Sequence, residues 1–288
     1  MKLVIISGRS GSGKSTALHV LEDGGYNCID NLPVGLLPAL IHNALRDPEQ
    51  RAHRMAVSID ARNSATDLQR FPEILLSLDR MDLDCEVVYL DALGPTLVKR
   101  FSETRRRHPL TSETVDLRQA IEAEREILAG IADLADLTID TTHLTTPALV
   151  DLIKARIANR AESGISLLFR SFGYKFGIPV DGDVVFDIRC LPNPHWVPEL
   201  RKLSGKDAAV VRFLESDPDV GAMYDDIRRY LETWLPKFEA SNRIYMTVAI
   251  GCTGGQHRSV YMAERLGAHF RQSMQNVLVR HRELEYPH

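Results

Sequence analysis

The chain has 288 residues, of which 44% are apolar and 26% charged, and its formal net charge is −4. This composition is typical of a globular protein, and the charge excludes a uniformly basic nucleic-acid-binding domain. No apolar run approaches the ~18 residues that a membrane-spanning helix needs, so we expect no membrane association. The four cysteines form no CxxC pair, which indicates reduced thiols in a cytoplasmic protein.

Short apolar runs alternate with helical patterns along the first part of the chain, which predicts a parallel α/β sheet. The first apolar run has no cleavage site after it, so we interpret it as a strand and not as a signal peptide. A helix is predicted over residues 116–132, and another begins at Pro147 with Thr145 or Thr146 as its cap. Strands are predicted at residues 3–7, 55–60, 86–91 and 137–140.

The length favours two domains of about 150 and 130 residues. The pattern changes at residues 159–164, after which residues 166–179 and 183–196 indicate strands and irregular loops. A long helix over residues 219–240 leads into a final strand, loop and helix. We therefore predict an α/β protein with a parallel-sheet domain over residues 1–158 and a smaller α/β domain over residues 164–288.

Residues 8–15, which we call the first loop, read GRSGSGKS and match the nucleotide-binding pattern GxxxxGK[ST] between a strand and a helix. Lys14 is expected on the β- and γ-phosphates as the catalytic group, and the Ser15 hydroxyl on Mg²⁺. A glycine- and serine-rich turn before a surface helix is the alternative. The pattern predicts nucleotide contacts for Gly8, Arg9, Ser10, Gly11, Ser12, Gly13, Lys14 and Ser15.

Two further features bear on nucleotide chemistry. Asp60 and Asp91 each end an apolar run, and either could hold the water shell of Mg²⁺. Arg100, Arg106 and Arg107 fall near one side of a predicted helix, as the lid arginines of a small-molecule kinase would, although a solvated basic helix end is the alternative. No acceptor-substrate motif follows, which weakens the kinase hypothesis.

Residues 252–259, which we call the second loop, read CTGGQHRS and match CxxGxxR[ST], the phosphate loop of cysteine-dependent phosphatases. Cys252 would be the nucleophile and Arg258 would bind the phosphoryl group. Gly251 replaces the usual histidine, and the general acid would have to be Asp181, Asp183 or Asp187. Binding of a phosphorylated small molecule without cleavage, and a purely structural turn, are the alternatives.

The chain resembles the RapZ/YvcJ family of bacterial P-loop proteins over nearly its whole length. The resemblance is carried by GRSGSGKS, YNCIDNLPVGLLP, VSIDARN, TRRRHPL, FGYKFGIP, RCLPNPHW and VAIGCTGGQHRSVY. It implies a kinase-like P-loop NTPase domain followed by a C-terminal α/β domain. It also implies binding and weak hydrolysis of ATP and GTP with Mg²⁺, with GTP assigned to Asp60, Ala61, Arg62 and Asn63.

For the C-terminal domain, the resemblance implies a sensor of glucosamine-6-phosphate. In the family's RNA adapters this domain also presents a small regulatory RNA to an endoribonuclease, and the family suggests a homo-oligomer. The same resemblance places the sugar phosphate on Asp187, Arg189, His195, Thr253, Gly254 and Arg258.

Two departures from the adapters concern RNA. The chain ends VRHRELEYPH, so Arg280 and Arg282 remain of the terminal basic cluster, and Phe176 stands where the adapters have a histidine. Since Lys and Arg contacts to phosphates supply most non-specific RNA affinity, we expect weaker RNA binding.

Overall fold

The computed structural model describes residues 1–46, 54–78, 83–104, 107–160 and 164–285. The chain divides into two units, Met1–Asn159 and Arg160–His288. Within the described residues, no helix has the length and hydropathy needed to cross a bilayer.

The first unit is built on a five-stranded sheet whose neighbouring strands are all parallel, in the order β2-β3-β1-β4-β5. The four predicted strands are present, with their ends shifted by up to two residues. The second strand was not predicted, because it has four residues of which only the first is buried. The strands are β1 Lys2–Gly8, β2 Tyr26–Ile29, β3 Arg54–Ser58, β4 Asp84–Asp91 and β5 Leu137–Asp140.

Helices surround this sheet, and their starts follow the sequence signals. The predicted helix over residues 116–132 begins with a capping box, because Asp116 Oδ1 accepts from Gln119 N at 2.9 Å and Gln119 Oε1 accepts from Asp116 N at 3.2 Å. Thr145, and not Thr146, caps the helix that carries Pro147. The helices are α1 Lys14–Asp23, α2 Leu37–Arg46, α3 Ala65–Gln69, α4 Phe71–Leu78, α5 Gly94–Thr104, α6 Leu117–Ala132 and α7 Thr146–Ile153.

The second unit contains a four-stranded sheet, again parallel throughout, in the order β7-β8-β6-β9. The predicted runs at 166–179 and 183–196 form strands only in their first halves, and 3₁₀ turns follow, since glycines and prolines interrupt them. The elements are β6 Ser166–Gly173, β7 Val184–Asp187, α8 Ala208–Glu215, α9 Pro218–Ala240, β8 Tyr245–Cys252, α10 Arg258–Phe270, β9 Val277–His281 and α11 Arg282–Glu285.

The two sheets share a strand order. In each, the first strand is central, the second and third lie on one side and the fourth on the other. Every residue of β6 and β8 is buried, as in a parallel sheet covered on both faces. In such sheets, ligands bind beyond the carboxyl ends of the strands. The first loop follows the first strand of its sheet, and the second loop follows the third strand of the other.

The capping box of α6 provides a test of this local assignment. Asp116→Ala removes the acceptor for two backbone N–H groups and should lower the free energy of unfolding by about 1 kcal/mol. Urea unfolding followed by circular dichroism measures this. Asp133→Ala, at the carboxyl end of the same helix, is the matched control, because Asp133 caps the helix through its backbone N–H, which the substitution keeps. Equal effects of the two substitutions would contradict the assignment.

Candidate functional site

Glycine geometry shapes the first loop between β1 and α1. Gly8, Gly11 and Gly13 have φ values of 140°, 83° and 107°, which side-chain-bearing residues rarely adopt. A Cβ on Gly8 would overlap the backbone oxygen of Leu90, and one on Gly13 would lie 2.6 Å from Leu149 Cδ2. No side chain caps α1 at Gly13, so the first amides of α1 are left for an anion.

Lys14 and its neighbours suit a phosphate group at this loop. Lys14 Nζ donates to Gly8 O at 2.6 Å, across the loop. Burial lowers the pKa of Lys14, while the carboxylates of Glu124, Asp60 and Asp30 act in the opposite direction. The Ser12 hydroxyl is buried and has no hydrogen-bond partner among the described residues. These residues therefore fit the phosphates of a nucleotide, and Ser15 is exposed in the first turn of α1, where it could hold Mg²⁺.

Of the two candidate acids for Mg²⁺, Asp91 is engaged by Arg9. Arg9 Nε donates to Asp91 Oδ1 at 2.6 Å, and the same guanidinium donates to Ala92 O. Arg9 is only 5% exposed, so its side chain anchors the first loop to the end of β4 instead of facing a ligand. Asp60 is also paired with an arginine, but more loosely, since Arg62 Nε lies 3.5 Å from Asp60 Oδ2, and its charge acts to raise the pKa of Lys14. The longer ion pair and the interaction with Lys14 favour Asp60.

Residues 60–63 form a tight turn after β3. Asp60 Oδ1 accepts from Arg62 N at 2.9 Å, and Asn63 Nδ2 donates to Asp60 O at 3.2 Å. Asn63 Oδ1 accepts from Val34 N at 2.7 Å, and Ala61 is buried. Asp60 and Asn63 thus stabilise the turn. Among residues 60–63, Arg62 has the exposed side chain.

Two of the three candidate lid arginines, Arg100 and Arg107, are engaged by other groups of the first unit. Arg100 Nη1 donates to Gly11 O at 3.0 Å, and its Nη2 to Thr141 O at 2.5 Å, so Arg100 holds the first loop from outside. Arg107 Nη2 donates to Thr111 O at 3.1 Å. Arg106 lies outside the described residues. The sequence prediction missed Glu124, which is buried beside the loop, although its place on the apolar face of α6 was a signal.

In the second loop, Cys252 points inward. Its Sγ accepts from Gly255 N at 3.3 Å and lies 3.1 Å from Ser259 Oγ, and the residue is 3% exposed. Gly255 has a φ of 72°, and a Cβ there would overlap the carboxylate of Glu283. A Cβ on Gly173, at the end of β6, would lie 2.7 Å from the carbonyl carbon of Gly254, and one on Gly255 would lie 2.7 Å from Gly173 N, so Gly173 and Gly255 permit a close backbone approach.

Arg258, the first residue of α10, is hydrogen-bonded to two of the other predicted sugar-phosphate residues. Its Nη1 donates to Arg189 O at 2.7 Å and to Leu191 O at 2.9 Å, and its Nη2 donates to Thr253 Oγ1 at 3.3 Å. Arg258 is 4% exposed, and its Nε has no hydrogen-bond partner in the described part of the chain. The guanidinium therefore ties the loop after β7 to the second loop and keeps one donor unused.

Asp187, Arg189 and His195 lie around this arrangement. Arg189 Nη2 donates to Asp187 Oδ2 at 2.6 Å, and its guanidinium lies 4.0 Å from the ring centre of Tyr174. The hydrogen bond from Arg189 is the main reason why the pKa of Asp187 is lowered. His195 is exposed, with its ring 6.5 Å from that of His257 in the second loop. The fold thus brings the six predicted residues to one sheet edge.

The three candidate acids of the phosphatase hypothesis are all ion-paired. Arg170 Nη1 donates to both carboxylate oxygens of Asp181 at 2.6 Å. Asp183 pairs with Arg243 and also accepts from Thr247 N at 2.6 Å. A general acid must hold a proton at working pH, and an ion-paired carboxylate with a lowered pKa, such as that of Asp187, does not.

Arg282, one of the two arginines that remain of the terminal basic cluster, is engaged within the second unit. Arg282 is 9% exposed, donates to Glu283 Oε1 at 2.7 Å, and donates to Gly173 O at 3.0 Å and Gly177 O at 2.8 Å. It supports the turn after β6, so it does not offer a free charge to RNA.

Family models match both units. The RapZ-like N-terminal domain matches residues 1–161, and the RapZ C-terminal domain matches residues 165–285.

Individual proteins are similar over the full chain. Proteins of Ectopseudomonas mendocina (strain ymp) and Pseudomonas putida (strain F1), each named nucleotide-binding protein, are 58% identical over 284 residues. The alignments cover 99% of this chain and 100% of each relative. Among solved structures, shikimate kinase from Acinetobacter baumannii in complex with shikimate aligns with 18% identity and a TM-score of 0.35, over 56% of this chain and 95% of the kinase.

Glu283, beneath the second loop, should make stability depend on pH. Burial raises the pKa of its carboxyl, against the opposing effect of Arg282. Because the folded pKa exceeds the unfolded value of about 4.3, this group's contribution is fully present below that value and is lost as pH rises through the folded pKa. The wild type should therefore gain stability relative to Glu283→Gln as pH falls towards the unfolded pKa.

Urea unfolding at a series of pH values measures the difference. Glu199→Gln, at an exposed position of the same unit, is the control and should show a nearly constant difference. A pH-independent gap between wild type and Glu283→Gln would contradict the assignment.

Proposed function

The chain belongs to the RapZ family, and from that premise we propose that it is a regulatory protein that binds a nucleotide at the first loop and a sugar phosphate at the second. The observation that carries the proposal is the presence of two glycine-rich loops, each at the carboxyl edge of its own parallel sheet and each opening a helix. Both arrangements suit phosphate groups.

At the first loop, ATP or GTP would be held by the loop amides and Lys14, with Mg²⁺ on Ser15 and its water shell on Asp60. The residues supply positioning and charge, and the metal neutralises the phosphates. We propose that hydrolysis is slow. Arg100 and Arg107, the lid arginines that the structure describes, are engaged by backbone carbonyls, so neither is ready to stabilise the transferred phosphoryl group.

At the second loop, the unused Nε of Arg258, the amides at the start of α10 and the Thr253 hydroxyl support phosphate binding. Asp187 offers carboxylate oxygens that accept hydrogen bonds from hydroxyl or ammonium groups. The family resemblance favours glucosamine-6-phosphate as the ligand, because this molecule carries a phosphate, hydroxyl groups and an ammonium group. Binding without cleavage is favoured because the three candidate acids are ion-paired.

The resemblance extends the proposal to a homo-oligomer in the cytoplasm that binds a small regulatory RNA and an endoribonuclease. Since Arg282 is buried and engaged, RNA phosphates would have to be met by other basic residues of the second unit.

The sugar-phosphate site predicts a contrast between two substitutions. Isothermal titration calorimetry with glucosamine-6-phosphate should show binding to the wild type and to Cys252→Ser, because the thiol is buried and its contacts with Gly255 and Ser259 are ones that a serine hydroxyl can also make. Arg258→Ala should lose about 10- to 100-fold in affinity, the effect of one charge-assisted hydrogen bond. Arg229→Ala, in an exposed ion pair on α9, is the control.

Since Arg258 also anchors a loop, Thr253→Ala provides a milder test of the same site, and circular dichroism checks the fold of each variant. Turnover of a phosphoester that Cys252→Ser abolishes would instead establish the phosphatase hypothesis. An unchanged affinity of both Arg258→Ala and Thr253→Ala would overturn the assignment of the second loop.

The first loop predicts a separate effect. Lys14→Ala should weaken ATP and GTP binding about 10- to 100-fold, because a charge-assisted contact to phosphate is lost. The binding of glucosamine-6-phosphate should stay within about twofold, a difference below 0.5 kcal/mol. Lys99→Ala, an exposed lysine on α5, is the matched control. Fluorescent-nucleotide titration measures the first effect and calorimetry the second, and equal nucleotide affinities of Lys14→Ala and Lys99→Ala would reject the nucleotide site.

A further inference from the structure

A buried carboxylate from another part of the first unit is hydrogen-bonded to the first loop. Glu124, on α6, has a side chain with no exposed surface. Its Oε2 accepts from Ser10 N at 2.7 Å and its Oε1 accepts from Ser10 Oγ at 2.7 Å. One carboxylate thus accepts hydrogen bonds from both the backbone N–H and the hydroxyl of Ser10, which lies 114 positions away in the chain.

The same carboxylate is also hydrogen-bonded to the segment that follows α5. His108 Nδ1 accepts from Leu110 N at 3.2 Å, so in the neutral ring the proton is on Nε2. His108 Nε2 then donates to Glu124 Oε2 at 3.0 Å. The His108 ring packs on Phe101 of α5, with ring centres 5.1 Å apart. Glu124 is therefore connected to α5 through His108, and to the first loop through Ser10.

The partners of Glu124 keep it charged. Burial by itself would raise the pKa of Glu124, but the His108 hydrogen bond, the positive charge of Lys14 and the two Ser10 hydrogen bonds outweigh it and hold the pKa below its ordinary value. A buried carboxylate, even with polar partners, adds little to stability compared with apolar residues of the same volume. Stability alone is therefore a weak reason for a carboxylate at this place.

Adjacent loop residues are held in the same way. Arg100 of α5 donates to Gly11 O, and Thr141 Oγ1 donates to Ser12 O at 2.9 Å. Each anchor approaches the loop from another part of the unit. A loop with three glycines is costly to order, and fixing it before the ligand arrives reduces the entropy lost on binding.

We propose that Glu124 is a positioning residue of the nucleotide site, which fixes the first loop through Ser10 in the shape that accepts the nucleotide's phosphates. The inference rests on the proposed nucleotide binding at that loop. The proposed role concerns the phosphates and not the base. Removing the Glu124 carboxylate should therefore weaken ATP binding and leave the binding of adenosine unchanged.

The test is a double-mutant cycle on ATP affinity, measured by calorimetry in the full chain. Glu124→Gln should weaken ATP binding about 10-fold or more and Ser10→Ala about 3- to 10-fold, as expected for charged hydrogen bonds. The double variant should be little worse than Glu124→Gln, because both act through one contact. Glu122→Gln, an exposed glutamate on the same helix that pairs with Arg125, is the matched control and should bind ATP like the wild type.

Each outcome decides between roles. Additive losses, equal losses for ATP and adenosine, or wild-type affinity in Glu124→Gln would overturn the positioning role and leave Glu124 a packing residue. If Glu124→Gln does not fold by circular dichroism, Ser10→Ala decides, and an unchanged ATP affinity there overturns the inference. A wild-type chain that binds neither ATP nor GTP overturns the proposed function itself, which is a different result.

Discussion

Both candidate sites depend on a constraint that parallel sheets impose. Strands covered on both faces leave no polar surface along their length, and in β6 and β8 every residue is buried. The carboxyl ends of all strands reach one edge, where the N–H groups of the following loops are free of strand partners. An anion can therefore be recognised only where strands end, and each unit places a glycine-rich loop there.

Glycine-rich loops bring a second requirement, because the freedom that lets the backbone approach a phosphate must be restrained. In the first unit, side chains from β4, α5 and α6 hold successive residues of the loop. In the second unit, Arg258 fastens the loop after β7, and the Arg282–Glu283 pair supports the turn after β6. Charged side chains that look like ligand contacts in the sequence are thus partly structural anchors of the loops.

The surroundings of the second loop bear on whether it would bind a phosphate group or also cleave it. Its cysteine and arginine match a phosphatase pattern, and the inward thiol with its Gly255 and Ser259 contacts agrees with that pattern. The reaction also needs a proton donor for the leaving oxygen. Asp181, Asp183 and Asp187 are each paired with an arginine, and the pairing with Arg189 lowers the pKa of Asp187. These ion pairs are the reason why we propose phosphate binding, and not cleavage, at the second loop.

The features that can be predicted from the sequence are those that depend on neighbouring residues. Four strands of the first sheet, the cap of α7 and the first loop follow from apolar periodicity, capping residues and glycine spacing, which act within a few positions. The engagement of Asp91 by Arg9, the burial of Arg282 and the contact of Glu124 with Ser10 are visible only in the folded chain. These contacts join residues that are far apart in the chain, and they exist only after the sheets have formed and brought the loops together. A charged side chain looks the same in the sequence whether it will face solvent, a ligand or a buried partner, since its surroundings arise from packing.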